Sequence, residues 1–216
     1  MTRETAQAQL SEMGRWLSQK NYLAAADGNF SLKDEGDTFW ITASGVNKGY
    51  RQPIPLAEVA IDGRVRSGEP SSETEMHCAV FRRCPKARAV IHAHPPTLVA
   101  WSIARPELTE LTCDSFSEAI LAVGSIPIVP FARPGGLGLA GSILPFLPLS
   151  RAMVLGRHGA LAWGETLEEA LNGIERMEHA AIILATAERL GGAKALPQAE
   201  IDWLKARRQE LGEKTL

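Results

Sequence analysis

The chain has little to hold it together covalently: three cysteines, Cys78, Cys84 and Cys113, among 216 residues. An odd number at these spacings forms neither a disulfide framework nor a paired cysteine metal site, so a reducing cytoplasm is the expected setting. No apolar run approaches the ~20 residues of a membrane span. The opening MTRETAQAQLSEMGRWLSQ lacks the apolar middle of a signal peptide. Basic residues form no block, since 23 Lys and Arg are mixed with 25 Asp and Glu for a net charge of −2. That leaves no electrostatic footprint for nucleic acid. Aromatic residues are 6% of the chain and Tyr22 and Tyr50 are its two tyrosines, so few rings are on hand to cup a sugar. The glycines of PGGLGLAG lack the strand-to-helix setting of a nucleotide-binding turn.

What remains is the composition of a soluble globular domain, 45% hydrophobic and 22% charged, long enough for one well-filled core. Leu10, Met13, Trp16 and Leu17 recur at helical spacing and predict an amphipathic first helix over residues 4–20. GNFSLK and TFWITAS read as strands joined at DEGD, and EVAIDGRVRSG as a strand turning back at Asp-Gly. SSETEMHCAVFRRCP has serines before it, acids in its first turn and arginines in its last, which predicts a helix. ARAVIHAH is a β-like run stopped by Pro95 and Pro96. Further on come a helix at TLVAWSIA, a strand at SIPIVPFA, a Gly loop at RPGGLG and a helix at LAGSILPFL. Two strands in RAMVLGRHGALAWG turn at residues 157–159, and helices over Thr166 to Leu190 and Gln198 to Leu211 close the chain. Helices and strands alternate without linker or repeat, so a single α/β domain over residues 1–216 is expected, with helices covering a central sheet.

His92 and His94 are alternate residues of a strand and project to one face. Two imidazoles there can grip a divalent metal if a third ligand arrives from elsewhere, and His158, at a turn flanked by glycines, is the candidate. A pair of hydrogen-bonded strand histidines is the other reading, and a cupin barrel would share the pattern but not the long helices. His77 and His179 sit beside apolar neighbours at helical positions and read as packing or surface residues.

Glu73 opens a helix just after Ser71 and Ser72, where backbone N–H groups and the helix dipole favour an anion. It is a candidate proton carrier or metal ligand, and helix capping alone also accounts for these residue types. Gly28-Asn29 and Ser44-Gly45 are small polar turns beside strands, able to wrap an oxyanion or simply to turn.

DGNFS, ITASGVNKG, PSSETEMH, HAHPP, RHGALAWG and LEEALNGIERMEHAA occur in this order along nearly the whole chain. With them the chain resembles the class II aldolase and adducin family, in particular its fuculose-phosphate aldolase branch. The resemblance implies an α/β/α sandwich around a mostly antiparallel sheet, assembled as a cytoplasmic homotetramer with sites between neighbouring subunits. It implies metal ligation by His92, His94 and His158, with Glu73 as acid/base and as a further ligand when the site is empty. It gives substrate phosphate to Gly28, Asn29, Ser44, Gly45, Ser71 and Ser72, with Lys48 nearby. The implied activity is cleavage of a ketose 1-phosphate to dihydroxyacetone phosphate and an aldehyde. Zinc is the expected metal, with manganese or cobalt as alternatives. Where fuculose-phosphate aldolases carry a tyrosine, this chain has Glu118, a second candidate proton carrier, and neither tyrosine is near it in sequence. Short deoxy-ketose phosphates, 5-deoxyribulose 1-phosphate and 5-methylthioribulose 1-phosphate, then become the expected substrates. The same residues also suit a methylthioribulose-phosphate dehydratase or a ribulose-phosphate epimerase, and the fold suits a non-catalytic adducin-like binding module.

Overall fold

A computed structural model describes residues 1–34 and 36–212. The turn expected at DEGD includes Glu35, which lies outside the described residues. Strands β1 (Asn29–Lys33), β2 (Thr38–Thr42), β3 (Leu56–Ala60), β4 (Val65–Ser67), β5 (Ala89–Ala93), β6 (Glu110–Leu111), β7 (Ile126–Val129), β8 (Ala152–Leu155) and β9 (Gly159–Gly164) form one sheet. Their order is β4-β3-β2-β1-β5-β9-β8-β7-β6. The pairings are antiparallel apart from β7 with β8, so the mostly antiparallel sheet is as expected.

Strict alternation along the strands splits the core in two. Ala89, Ile91 and Ala93 of β5, with Ala152 and Val154 of β8 and Ala160 and Ala162 of β9, face one side. Helices α1 (Arg3–Gln19), α3 (Pro96–Ala104), α4 (Ser117–Ala122) and α6 (Leu167–Arg189) bury their apolar residues there. Val90, Met153, Leu155, Leu161 and Trp163 face the other side, under α2 (Thr74–Arg83) and α5 (Gly136–Ile143). The result is three layers, α/β/α. Helix α7 (Gln198–Leu211) packs Ile201 and Leu204 on Ile120 of α4, a small satellite core at one end.

Local chemistry explains where the long helices begin. Thr2 accepts the N–H of Thr5, and Thr166 accepts the N–H of Glu169 with Glu168 and Glu169 in the first turn of α6. Two expectations are corrected. Trp16 is 46% exposed and donates its indole N–H to Glu175 Oε1 at 2.7 Å, so it lies outside the core it was expected to join. The Gly loop is shorter than read, because α5 already starts at Gly136 and stops at Ile143, with Pro145 and a 3₁₀ turn following. The sequence reading also missed β6 and α4, whose short spans carry too little periodicity to stand out. No helix among the described residues is long and apolar enough to cross a membrane.

Candidate metal centre

Parity along the strands decides what faces α2. Phe30 and Leu32 of β1 belong to the opposite core, which leaves Asn29 and Ser31 on the α2 side with His92. The register pairs Asn29 directly with His92. Glu73 and His77 are four residues apart, one helical turn, and both point down onto these strand residues.

His92 is completely buried and its Nδ1–H donates to the carbonyl of Ala160 at 2.9 Å, so Nε2 carries the free lone pair. That Nε2 lies 3.0 Å from Nε2 of His94. Nδ1 of His94 faces Asp27 Oδ2 at 3.5 Å. His158 arrives from the β8–β9 turn, where Arg157 adopts a left-handed backbone (φ 57). Ring centroids are 4.7 Å apart for His92 and His158 and 5.2 Å for His94 and His158. The close approach needs glycine at 159: a Cβ there would lie 2.6 Å from Ala93 O, 2.7 Å from His94 Cδ2 and 2.9 Å from His92 Cε1. One ligand atom from each of the three histidines falls within 4.8 Å of the others.

Glu73 stands against this set, with Oε2 3.2 Å from His92 Nε2 and Oε1 3.3 Å from His158 Nε2. Its carboxylate does no capping of its own helix, and Ser71 Oγ instead accepts the Glu73 N–H at 3.3 Å. Burial, then the neighbouring His94 and His158, hold His92 well below the ordinary imidazole range, and burial also lowers His94. Both rings are therefore neutral, the form that binds metals. With its proton on Nδ1, His92 turns the Nε2 lone pair against the Glu73 carboxylate at 3.2 Å. Among the described residues, buried Glu73 Oε1 and His158 Nδ1 have no hydrogen-bond partner. A divalent cation would relieve that repulsion and give Glu73 Oε1 a partner, and three imidazoles with an adjacent carboxylate suit one. The residues fit the metal that the sequence pattern implied.

Gly28, Asn29, Ser44, Gly45, Ser71 and Ser72 all line one cavity of about 320 Å³, together with Glu73, His94, His158 and Lys48. The expected phosphate residues and the histidines thus meet at one place. Gly28 is held at φ +71, and a Cβ there would lie 2.8 Å from His92 O. Lys48 is buried, and its ammonium donates to the carbonyls of Ala26 at 2.7 Å and Val46 at 3.0 Å. Glu118 is not brought here. It is exposed, hydrogen-bonded by Ser117 and so held below the ordinary carboxylate range, in a separate cavity of about 460 Å³. Tyr22 lines that same cavity, close to Glu118 despite the sequence distance between them. Burial and the acids Glu178 and Glu175 push the Tyr22 phenol up to about 12.

Residues 8–185 match the family described as Class II Aldolase and Adducin N-terminal domain. The chain belongs to the class II aldolase and adducin family. In this divalent-metal-dependent family it is 29% identical to the 3-oxo-tetronate 4-phosphate decarboxylase of Escherichia coli K12, over 84% of this chain and 86% of that protein. It is 30% identical to the methylthioribulose-1-phosphate dehydratase of Methylococcus capsulatus, over 82% of this chain and 91% of that one. Its fold superposes on an L-fuculose 1-phosphate aldolase with a TM-score of 0.85 at 26% identity, covering 97% and 98% of the two chains. Class II aldolase relatives therefore include a decarboxylase, a dehydratase and an aldolase on one framework.

Two buried polar residues that support the site are not evident from the sequence. His77, read as a packing or surface residue, is completely buried and hydrogen-bonded to Asn29 and Ser31. Glu178 of α6 is also buried, and its carboxylate accepts the N–H groups of Thr97 and Leu98 at 3.0 and 2.9 Å. It closes the N-terminus of α3, just past His94, where the helix dipole favours an anion. An acid inside the apolar stripe of a long helix was the available signal.

Proposed function

We propose that the protein is a metal-dependent lyase that cleaves a ketose 1-phosphate reversibly to dihydroxyacetone phosphate and an aldehyde. One observation carries the reading: Glu73, His94 and His158, with His92 buried against them, share a cavity with the small polar turns. A divalent cation on His92, His94 and His158, zinc first and manganese or cobalt next, supplies Lewis-acid stabilisation of negative charge on the substrate oxygens. The N–H and hydroxyl groups of residues 28–29, 44–45 and 71–72 take the phosphate, with the Lys48 ammonium beneath two of these turns. That anchoring sets C3 of the ketose opposite Glu73. Breaking C3–C4 leaves the electron pair on C3 while the C4 hydroxyl passes its proton to the carboxylate of Glu118 from a neighbouring copy and becomes the aldehyde. Glu73 delivers a proton to C3, completing dihydroxyacetone phosphate. The favoured substrates are 5-deoxyribulose 1-phosphate and 5-methylthioribulose 1-phosphate. Glu118 takes part only through a neighbouring copy, in a cytoplasmic homotetramer.

A second reading has its own support. Within one chain Glu73 is the buried carboxylate of this cavity, and Glu118 lies elsewhere. Decarboxylation of a 3-oxo sugar-acid phosphate needs no group to accept a hydroxyl proton, because carbon dioxide leaves without one. Glu73 alone suffices to protonate the carbon left behind. A panel of ketose 1-phosphates and 3-oxo-tetronate 4-phosphate separates the readings. Triose phosphate with aldehyde supports cleavage, triose phosphate with carbon dioxide supports the second reading, and a diketone phosphate would replace both with dehydration. Glu73→Gln should abolish turnover with metal content intact; undiminished turnover refutes its role.

A further inference from the structure

Behind Glu73 runs a line of buried polar groups that cleavage chemistry does not itself require. Asn29 Nδ2 donates to Glu73 Oε2 at 2.8 Å. Asn29 Oδ1 lies 2.6 Å from His77 Nε2, and His77 Nδ1 lies 2.7 Å from Ser31 Oγ. Ser31 and His77 are completely buried, and Asn29 nearly so. Their neighbours on the same face, Val90 and Leu161, show that this layer accepts aliphatic side chains. Four polar side chains in series, ending at a carboxylate, are a costly way to fill such space.

The direction of every bond follows from its end. A carboxylate oxygen accepts, so Asn29 must present its NH₂ to Glu73 and its carbonyl to His77. A carbonyl also only accepts, so the His77 proton sits on Nε2. The ring is neutral, since burial holds it down to about 3. Nδ1 is then an acceptor, and the Ser31 hydroxyl donates to it. The alternative polarity, with Asn29 flipped, needs a proton on Glu73 Oε2 together with the other His77 tautomer.

We propose that His77, backed by Ser31, is a positioning residue for Glu73: it fixes the Asn29 amide so that Oε2 is held as an acceptor and Oε1 is the oxygen that exchanges protons. Oε1 has no hydrogen-bond partner among the described residues and lies 3.3 Å from His158 Nε2, beside the cavity that Glu73 lines. The two carboxylate oxygens are therefore inequivalent before any substrate arrives. A carboxylate free to rotate would divide its protons between both oxygens and two geometries. The chain removes that freedom. The assignment rests on Glu73 as the proton carrier, but its first test does not.

In metal-free protein labelled with ¹⁵N-histidine, long-range nitrogen–proton spectra read each ring's tautomer. His77 should show a proton on Nε2 alone throughout the neutral pH range, and Ser31→Ala should move its Nδ1 resonance. A proton on Nδ1, or on both nitrogens, would overturn the proposal whatever the protein catalyses. The Asn29 side-chain amide signals should shift in His77→Leu and stay near their wild-type positions in His77→Gln, which keeps a donor and an acceptor. With whichever substrate the panel identifies, His77→Leu should lose about 10- to 100-fold in kcat with KM unchanged, and His77→Gln should recover most of it. Equal losses in the two variants, or a loss confined to KM, would also overturn the proposal. If His77→Leu does not fold, the wild-type and Ser31→Ala spectra still decide. Failure of every substrate rejects the proposed activity and leaves the tautomer result standing.

Discussion

The Lys48 ammonium donates to the carbonyl of Ala26 at 2.7 Å, joining the loop before β1 to the loop after β2. Those loops carry Gly28-Asn29 and Ser44-Gly45, so one buried cation holds two walls of the cavity in register. It also reaches the carbonyl of Asp27 at 3.4 Å, the residue whose carboxylate faces His94.

Lys48→Met should leave these carbonyls without their donor, at a cost of about 1–3 kcal/mol in urea unfolding. Burial holds the Lys48 ammonium down to about 8 from its ordinary 10.5. Between those values the unfolded chain keeps a proton that the native chain has released, so Lys48 favours folding more as pH rises through this window. The stability of wild type relative to Lys48→Met should climb accordingly. A difference that stays level there would mean that the ammonium is solvated.

Acid should weaken the metal-free protein early. His77 is held down to about 3, His92 falls well below 6.5 and His94 is lowered as well, mainly by burial in each case. Their native pKa values lie below the unfolded ones, so their contribution is present above the unfolded value and lost as pH falls beneath it. Each ring that stays neutral steepens the fall by up to about 1.4 kcal/mol per pH unit. Urea unfolding of chelator-treated protein at stepped pH measures this. Constant stability from about pH 7 to about pH 5 would contradict the burial of these rings.

Gly159→Ala should cost metal binding more than folding. The added methyl meets the Ala93 carbonyl and both His92 and His94 at under 3.0 Å, and the rings must part to admit it. A stability loss of about 1–3 kcal/mol is expected from overpacking. Cobalt titration followed by absorbance should show weakened or lost binding. Wild-type affinity in a folded variant would show that the turn can shift without disturbing the histidines.

Glu178→Gln tests whether α6 supports the site from behind. It removes the charge that closes the N-terminus of α3, and a loss of about 1–2 kcal/mol is expected in thermal or urea unfolding. One metal per chain should remain, because Glu178 bonds the backbone beyond His94 and not the ring. An unchanged melting curve would rule out the capping role.

Much of the candidate site was legible because it obeys short periods. His92 and His94 share a face through the two-residue repeat of a strand, and Glu73 and His77 share one through a single helical turn. Parity along β1 likewise keeps Asn29 and Ser31 off the side of Phe30 and Leu32. The role of His77 was not legible, since an imidazole beside apolar neighbours reads the same whether it packs alone or bonds to a strand from a different part of the chain. Glu178 was hidden for a related reason: its charge looks like solvated surface until the N–H groups it satisfies are known, and Lys48, expected near the phosphate, gave no sign of the carbonyls it holds. Glu118 and Tyr22 came together only when α4 was laid against α6 and the end of α1.

The order of residues by itself determined the two repeats, the glycines that let backbones approach, and the two imidazoles that share one face of a strand. Each follows from bonds and clashes among close neighbours in the chain. Only the tertiary structure decided that His158 meets the other two, that Asn29 lies across from His92 and beneath Glu73, and that Glu118 stands apart from them. Those relations depend on strand register and on helices packing over a sheet. Both are set by burying apolar surface over the whole chain, which no short stretch can specify.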